Sequence, residues 1–278
     1  MRKILLMAFI LVFLGGFLAR AEPYDNNNSL IPDLGSKLEK IIPALARIRT
    51  KTVFEQTEDV PPNVSKKIIR ILDGRGLAIN EGRLLLTLTH VVKHPPSLQV
   101  MTPFGPTIIP AKKISEETFI MVGGREYKLD PLYVSADGIV EVALFEIPPF
   151  LKVPFFPYSI GNSNKLSLGN FIYIVGDPAS SGVNVREGIV SSLTASENQD
   201  TARISNGIYP GDSGGPVVAI KDGEFELVGL AQYVLMDPFG RYLSRIGGML
   251  KINAIGREIM DKCAKCSDEI KRFFIPPK

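Results

Sequence analysis

A proline-rich segment near the middle of the chain, PPFLKVPFFP at residues 148–157, separates two sets of short strand-like runs. Proline removes a backbone hydrogen-bond donor, so four prolines in ten residues are unsuited to a central strand and typical of a linker. On each side of it, short runs of apolar residues are bounded by glycine, asparagine and aspartate turns. This pattern predicts an all-β protein with two antiparallel barrels or sandwiches, at residues 22–147 and 158–253.

The first 21 residues have the parts of a secretory signal peptide. Arg2 and Lys3 precede an apolar run at 4–18, and the tripeptide Ala-Arg-Ala before Glu22 fits a signal-peptidase site. We expect cleavage there and a periplasmic or secreted protein without stable membrane association, the alternative being an uncleaved anchor. The chain has 32 basic and 29 acidic residues, and removing three basic residues with this segment makes the numbers equal. That balance argues against nucleic acid as a partner.

Short helices are predicted at both ends of the strand-rich region. The first covers residues 33–42 and stops at a proline, and the second belongs to the C-terminal helix and tail, residues 254–278. The chain's two cysteines, Cys263 and Cys266, lie in this tail. An exported protein meets an oxidising compartment, which favours a structural disulfide or free thiols over a redox or zinc centre. No cofactor and no metal is predicted.

The stretch NGIYPGDSGGPVV contains a serine flanked by glycines. Gly211 and Gly214 can adopt backbone conformations closed to residues with a Cβ, which allows a sharp turn around Ser213. A serine hydroxyl needs an adjacent base to act as a nucleophile, and histidine is suited to this because its pKa lies near neutrality. The chain has two histidines, His90 at the end of the run RLLLTLTHVV and His94 before two prolines.

Four separated motifs resemble the protease domain of the HtrA/DegP-type bacterial branch of the trypsin-like serine proteases. They are LEKIIPALARIRT, GRGLAINEGRLLLTLTHVV, NKLSLGNFIYIVGDPASSGVNVREGIVSSL and GDSGGP, in the family's order. The resemblance implies two six-stranded antiparallel β-barrels with the catalytic groups between them, and a serine endopeptidase acting on protein or peptide substrates. It also implies Ser213 as the nucleophile and His90 as its base. HtrA relatives usually carry PDZ domains, and too few residues follow Asn253 for one to be expected.

The carboxylate that would orient the histidine is where this sequence departs from the family. The family places an aspartate directly before a short hydrophobic-Ala-hydrophobic strand, whereas Glu141 precedes Val142-Ala143-Leu144 here. Glutamate carries the same charge on one more methylene, so it can accept the histidine Nδ1–H if the backbone is set back. We predict Glu141 as the third catalytic residue. The alternatives are Asp137 and a weakened serine–histidine dyad.

By the same resemblance, the backbone amides of Gly211 and Ser213 form an oxyanion hole. Donors of this kind stabilise the negative charge that appears only in the tetrahedral intermediate. The resemblance also places Gln232, Tyr233 and Val234 along the substrate, in a strand that would bind the substrate backbone by β-strand addition. These residues complete the predicted site.

Two further positions bear on specificity and activation. Gly207 stands where the trypsin branch has an acidic pocket base, so a preference for lysine or arginine is not expected. A small or medium aliphatic side chain is favoured instead, if Val234 narrows the pocket. Asp212 corresponds to the aspartate that pairs with a new N-terminus in zymogen-activated relatives. Because no Ile-Val-Gly-Gly activation sequence is present, zymogen cleavage is not predicted.

A second function class stays open at this stage. A catalytically weak or inactive protease-fold protein that serves as a binding or scaffold module would explain Glu141 and the unusual Gly74-Arg75-Gly76 segment. A serine hydrolase of the α/β type is disfavoured, because its nucleophile lies in a strand–helix turn and not in a strand–loop–strand setting.

Overall fold

The computed structural model describes most of the chain beyond the predicted signal segment, and residues 1–21 lie outside the described part. The described ranges are 24–25, 31, 33–57, 65–102, 105–136, 138, 140–195, 198–236 and 242–276. Within them the strands form two sheets of seven strands each and a separate two-stranded hairpin.

The first sheet precedes the proline-rich segment. Its strands and the hairpin are β1 (Leu45–Gln56), β2 (Lys67–Ile79), β3 (Leu84–Thr87), β4 (Leu98–Thr102), β5 (Gly105–Ile109), β6 (Ala111–Val122), β7 (Arg125–Lys128), β8 (Asp130–Val134) and β9 (Ala143–Glu146). The sheet order is β7-β6-β1-β2-β3-β9-β8, and β4 and β5 form the hairpin.

The first sheet closes through a bent strand. Leu129 alone separates β7 from β8, and its N–H donates to the carbonyl oxygen of Thr118 on β6 at 2.9 Å. β7 pairs with β6, whereas β8 pairs with β9. The segment 125–134 therefore acts as one strand that joins the two edges of the sheet, and the result is a barrel of six strands.

The second sheet follows the proline-rich segment. Its strands are β10 (Ser159–Ile160), β11 (Phe171–Gly176), β12 (Asn184–Ser192), β13 (Thr201–Ile204), β14 (Pro216–Lys221), β15 (Glu224–Met236) and β16 (Tyr242–Lys251). The order β15-β14-β11-β12-β13-β16 returns to β15, and the two-residue β10 lies parallel to β15 outside this ring. The predicted pair of six-stranded antiparallel β-barrels is confirmed.

Helices are few and short. The α-helices are α1 (Leu34–Glu39), α2 (Thr89–Val92), α3 (Ile252–Lys262) and α4 (Asp268–Phe273). The predicted helices at both ends are present, and the C-terminal one is divided into α3 and α4 by a disulfide between Cys263 and Cys266. Residues 148–157 contain neither helix nor strand. No helix in the described ranges has the length and apolar character needed to cross a membrane.

β1 shows how the sequence produces a barrel wall. Side chains alternate between the two faces of a strand. Here Ile48 is buried in the core of the first barrel, and Phe54 is buried farther along the strand. Arg47, Arg49 and Lys51 lie on the opposite, solvent-facing side. The outer surface of the first barrel therefore carries a row of cations that ends near the barrel interface.

The C-terminal helix packs against the first barrel although it follows the second. Ile255 and Ile259 of α3 are fully buried. The hydroxyl of Tyr133 on β8 donates to the carboxylate of Glu258 at 2.5 Å, and Lys265 Nζ donates to the carbonyl oxygen of Pro131 at 3.2 Å. The end of the chain thereby connects the two barrels on the β8 side.

Residues near the start of the described chain dock on the second barrel. The buried hydroxyl of Tyr24 donates to Glu226 at 3.1 Å and accepts the N–H of Asn162 at 3.0 Å. The N–H of Asp25 donates to the carbonyl oxygen of Ile220 at 2.8 Å. Burial raises the pKa of Tyr24, so this phenol remains protonated and can donate.

Candidate active site

A cavity of about 600 Å³ lies between the two barrels. The first barrel contributes His90 and Glu141 to its wall, and the second contributes Ser213, Gln232 and Tyr233. All five residues were predicted as site residues from the sequence. The structure therefore brings side chains up to 143 positions apart in the sequence to one cleft.

The loop between β13 and β14 positions Ser213. Gly211 and Gly214 have φ values of 100° and 84°, a region that strongly favours glycine. A Cβ on Gly214 would also lie 2.6 Å from the carbonyl oxygen of Arg75, so a side chain does not fit there. The Ser213 hydroxyl donates to the carbonyl oxygen of Gln232 at 3.3 Å and reaches the cleft.

His90 lies on α2, directly after β3, and faces Glu141. Its Nδ1 is 2.7 Å from the Glu141 carboxylate. Glu141 belongs to the turn between β8 and β9, which Ser135 closes by a 2.9 Å hydrogen bond from its N–H to the carbonyl oxygen of Val142. The hydrogen bond with His90 lowers the pKa of Glu141, although burial opposes this, so the carboxylate is ionised at neutral pH. Asp137, the alternative carboxylate, lies outside the described residues.

The two histidines have different surroundings. His90 shares the cleft with Ser213, although no hydrogen bond joins their side chains within the described part of the chain. His94 lies on the first barrel, where its Nδ1 is 2.7 Å from the Thr52 hydroxyl and 3.8 Å from Glu116. Burial lowers the pKa of His94. Only His90 has the position that a base for Ser213 requires.

The backbone beside Ser213 presents unused donors. The carbonyl oxygen of Pro210 accepts the N–H of Ala179 at 2.6 Å. In a trans peptide the N–H points away from the C=O, so the N–H of Gly211 points away from Ala179, toward the cleft that Gly211 lines. Neither this amide nor that of Ser213 donates to another atom of the described residues. Two such donors can stabilise a developing negative charge on oxygen.

An ion pair between the barrels supports this loop. Arg75 on β2 donates through Nε to the buried Asp177 carboxylate at 3.1 Å, and its Nη2 contacts the same oxygen. The N–H of Gly182 donates to the other carboxylate oxygen at 2.7 Å. Burial alone would raise the pKa of Asp177, but Arg75 and Gly182 lower it. Because the Asp177 backbone packs directly against Gly211, the pair connects β2 with the loop that contains Gly211 and Ser213.

A family model described as the trypsin-like peptidase domain matches residues 74–230. The chain belongs to this family. The periplasmic pH-dependent serine endoprotease DegQ of Escherichia coli (strain K12) is 26% identical over 221 residues, covering 74% of this chain and 43% of DegQ. The serine protease HTRA1B of Danio rerio is 27% identical over 195 residues, covering 67% of this chain and 34% of that protein. The chain thus spans less than half the length of these relatives.

A solved structure supports the fold of this peptidase domain. The HtrA-type protease AlgW with a decapeptide matches with a TM-score of 0.57 and 18% sequence identity, covering 82% of this chain and 67% of AlgW. At this identity the likeness concerns the fold alone.

A buried ion pair next to Ser213 was not anticipated from the sequence. Asp212 is fully buried, and Arg186 on β12 places Nη2 2.6 Å from its carboxylate. Asp212 also accepts the N–H of Tyr209 at 2.8 Å, and Arg186 Nη1 donates to the carbonyl oxygen of Gly207 at 2.8 Å. Burial raises the pKa of Asp212, and the Tyr209 amide and Arg186 offset this only in part. An internal cation thus faces the aspartate that pairs with a new N-terminus in zymogen-activated members of the family.

One edge of β15 is open at the cleft. β15 pairs with β14 as far as Leu230, and the N–H of Ala231 donates to the carbonyl oxygen of Gly215. Beyond that point β15 pairs with β16 on one side only, within the described ranges. The backbone of residues 232–236 therefore offers a free edge beside Ser213, which is a template for pairing with an extended chain.

The side chains predicted to line the substrate differ in their surroundings. Gln232 lies in a β-bulge between Ala231 and Tyr233, and its side chain is buried and, with His90, helps to lower the pKa of Glu141. Tyr233 packs over Gly248, where a Cβ would collide with its ring. Val234 continues the strand, and its side chain lies outside the described part of the structure. Gln232 thus supports the carboxylate of the cleft in addition to lining it.

Proposed function

We propose that this chain is an exported serine endopeptidase that uses Ser213, His90 and Glu141 as a catalytic triad. The observation that carries the proposal is the 2.7 Å contact between His90 Nδ1 and the Glu141 carboxylate, in the cleft that also exposes Ser213. This contact fixes the histidine tautomer with Nε2 unprotonated and available as a base. Glutamate has one more methylene than the usual aspartate, and its carboxylate still reaches the histidine from the turn before β9.

The reaction follows from these positions. Ser213 Oγ attacks the carbonyl carbon of the substrate and passes its proton to His90 Nε2, while Glu141 stabilises the imidazolium. The amides of Gly211 and Ser213 hold the oxyanion, an interaction worth roughly 10²–10³ in rate for each donor. His90 then protonates the leaving amine, an acyl ester on Ser213 remains, and water hydrolyses the ester with His90 again acting as the base. The Ser213 hydroxyl first turns from the Gln232 carbonyl to His90, since hydrogen bonds of this kind commonly tighten only when substrate binds.

The substrate is an extended segment of a protein or peptide. The free edge of β15 at Gln232, Tyr233 and Val234 supports binding by β-strand addition. A small or medium aliphatic side chain is favoured before the cleaved bond, as expected from Val234 and from Gly207, which has no acidic side chain. A basic side chain is disfavoured there, because the Arg186 guanidinium binds the carbonyl of the neighbouring Gly207.

Export is supported by the sequence of the first 21 residues and by the relatives. DegQ is described as periplasmic, and the disulfide between Cys263 and Cys266 suits an oxidising compartment. We infer a periplasmic or secreted location for the mature chain.

Labelling with a serine-directed fluorophosphonate tests the proposal. The purified protein should be labelled at Ser213 and should hydrolyse an unfolded protein substrate, and Ser213→Ala should do neither. Equal labelling of the two proteins contradicts the proposal and leaves the alternative function, a protease-fold binding module. Comparing Glu141→Gln with Asp137→Asn then assigns the carboxylate, since the true third residue should lower kcat by orders of magnitude when neutralised.

A further inference from the structure

A second cavity adjoins the catalytic cleft and has no role in the mechanism above. It measures about 230 Å³, and we name it the arginine pocket; its lining is Arg47, Asp73, Gly74, Arg75, Asp177, Ser180 and Gly211. Three of these residues, Asp73, Gly74 and Gly211, also line the catalytic cleft. No described residue of β15 belongs to the arginine pocket. The pocket therefore adjoins the loop that contains Gly211 and is not lined by the strand that would bind the residues before the cleaved bond.

This location assigns the pocket to the leaving-group side of the substrate. The carbonyl carbon under attack must lie next to Ser213 Oγ, with its oxygen at the amide of Gly211. If the preceding residues follow β15, the chain after the cleaved bond continues past Gly211 toward Asp73 and Arg75. This step rests on the proposed function.

The carboxylates of the arginine pocket are already engaged. Asp177 accepts from Arg75 on one oxygen and from the N–H of Gly182 on the other. Asp73 accepts from Arg49 Nε at 2.8 Å and Arg49 Nη2 at 3.2 Å, which is a two-point pair. Both oxygens of each carboxylate therefore already accept a hydrogen bond, so the carboxylates are not the groups that the pocket offers to a ligand.

The donors of the pocket, by contrast, are in excess. Among the described residues, the Arg47 guanidinium forms its one hydrogen bond with Asp73, at 3.4 Å and on the oxygen that Arg49 already binds, and its side chain is 51% exposed. Its charge also helps Arg75 to lower the pKa of Asp177. The Ser180 hydroxyl has no hydrogen-bond partner among the described residues. The ion pairs in and beside the pocket fall into two groups. One has three cations and two carboxylates, Arg47, Arg49, Lys51 and Asp73, Glu126, and the other is the single pair of Arg75 and Asp177. The hydrogen-bonding groups that are left unpaired in the pocket are thus N–H donors of a cation.

The geometry points to the arginine pocket as a specificity subsite for an acidic side chain, aspartate or glutamate, at the first or second position after the cleaved bond. A carboxylate can form a two-point pair with the Arg47 guanidinium and accept a further hydrogen bond from Ser180. Lysine or arginine at the same position would face Arg47 and Arg75 and be disfavoured.

Internally quenched peptides test this subsite. Two series carry glutamate, glutamine or lysine at the first or the second position after a Val–X bond and are otherwise identical. We expect kcat/KM for the glutamate peptide of one series to exceed that for the glutamine peptide by about tenfold. This factor is smaller than the one expected for a fully buried charged hydrogen bond, because the Arg47 side chain is half-exposed. The preference should shrink as salt is raised from 0.05 to about 0.5 M.

Variants separate a specific contact from a general charge effect. Arg47→Gln should abolish the preference for glutamate, and Arg47→Lys should retain part of it. Both variants should fold, since Arg49 alone still holds Asp73. Arg83→Gln removes a comparable exposed charge from the first barrel, away from the pocket, and should leave the preference unchanged. Equal rates for glutamate and glutamine, or a preference that survives in Arg47→Gln, overturns the inference.

A binding measurement keeps the subsite testable if peptide hydrolysis fails. On Ser213→Ala, fluorescence anisotropy should give a Kd for the glutamate peptide about tenfold below that for glutamine, and Arg47→Gln in the same background should remove the difference. Equal affinities, or no binding of either peptide, refute the subsite. Absence of hydrolysis together with this binding preference contradicts the proposed enzyme and leaves the subsite standing.

Discussion

Replacing Arg186 by methionine should destabilise the protein strongly at neutral pH. Methionine retains most of the apolar stem but leaves the fully buried Asp212 carboxylate without its cation 2.6 Å away. The variant also loses the charged hydrogen bond to Gly207 and the guanidinium 5.6 Å from the Tyr209 ring. These losses overlap, and breaking one partner of a buried ion pair costs about 3–5 kcal/mol in total.

The loss of stability caused by Arg186→Met should depend on pH, and the direction of this dependence follows from the ionisation of Asp212. Burial raises the folded-state pKa of this carboxyl above its ordinary value of 3.8. A raised pKa means that the protonated group is favoured in the folded protein, so its contribution to stability is present at low pH and is lost as pH rises through the folded pKa. Removing Arg186 raises that pKa further. The destabilisation should therefore be largest at pH 7 and should shrink by about 1–3 kcal/mol at pH 5.

Urea unfolding at the two pH values measures this, with intrinsic fluorescence or circular dichroism as the signal. Arg186→Met combined with Asp212→Asn removes the uncompensated charge and should recover at least half of the lost stability at pH 7. Arg83→Met, a change at an exposed arginine, should cost less than about 0.5 kcal/mol. A cost for Arg186→Met below 1 kcal/mol and equal at both pH values would refute the reasoning, as would a double variant no more stable than the single one.

Three further outcomes are expected. Glu141→Gln should lower kcat by roughly 10³–10⁴ with a small change in KM. Glu141→Asp should have a kcat between those of Glu141→Gln and the unmodified protein only if the shorter side chain still reaches His90. An unchanged kcat for Glu141→Gln would show that Glu141 is not a catalytic residue. Replacing Cys263 and Cys266 together by serine should lower stability by about 2 kcal/mol, the value for a four-residue loop, measured as a lower urea midpoint. Tyr24→Phe should lower the free energy of unfolding by about 1–3 kcal/mol and lower Tm, because the buried Glu226 on the second barrel loses a hydrogen-bond donor. No change in Tm would show that this hydrogen bond does not stabilise the protein.

The fold and the positions of the main site residues could be predicted from sequence because they depend on local signals. The placement of prolines and glycines and the short alternating runs predict many strands in two sets. The glycines on both sides of Ser213 predict the sharp turn at that residue, because such a backbone conformation requires glycine. His90 is one of two histidines, so the choice was small. The bent strand that closes the first barrel could not be predicted, because the change of partner at Leu129, from β6 to β9, depends on long-range pairing that no local pattern reveals.

The ion pairs behind the site could not be predicted for a different reason. Arg75 and Asp177 are 102 residues apart, and an arginine in a strand is equally compatible with a solvated surface. Arg186 carries no sequence signal that distinguishes it from an exposed residue of β12. Gln232 was predicted from its position to line the substrate, but the bulge that turns its side chain to Glu141 is a feature of strand register that no local pattern reveals.

Because the cleft is divided between the barrels, activity can be lost while both barrels remain folded. His90 and Glu141 belong to one barrel and Ser213 with its loop to the other, so neither half holds a complete set of groups. A shift of about 1 Å between the barrels is enough to lower the rate roughly a hundredfold under the proposed mechanism. Whatever loosens the contact of Arg75 with Asp177 should therefore lower activity while the strands stay in place, and neither piece of a chain cut within residues 148–157 carries all three catalytic groups.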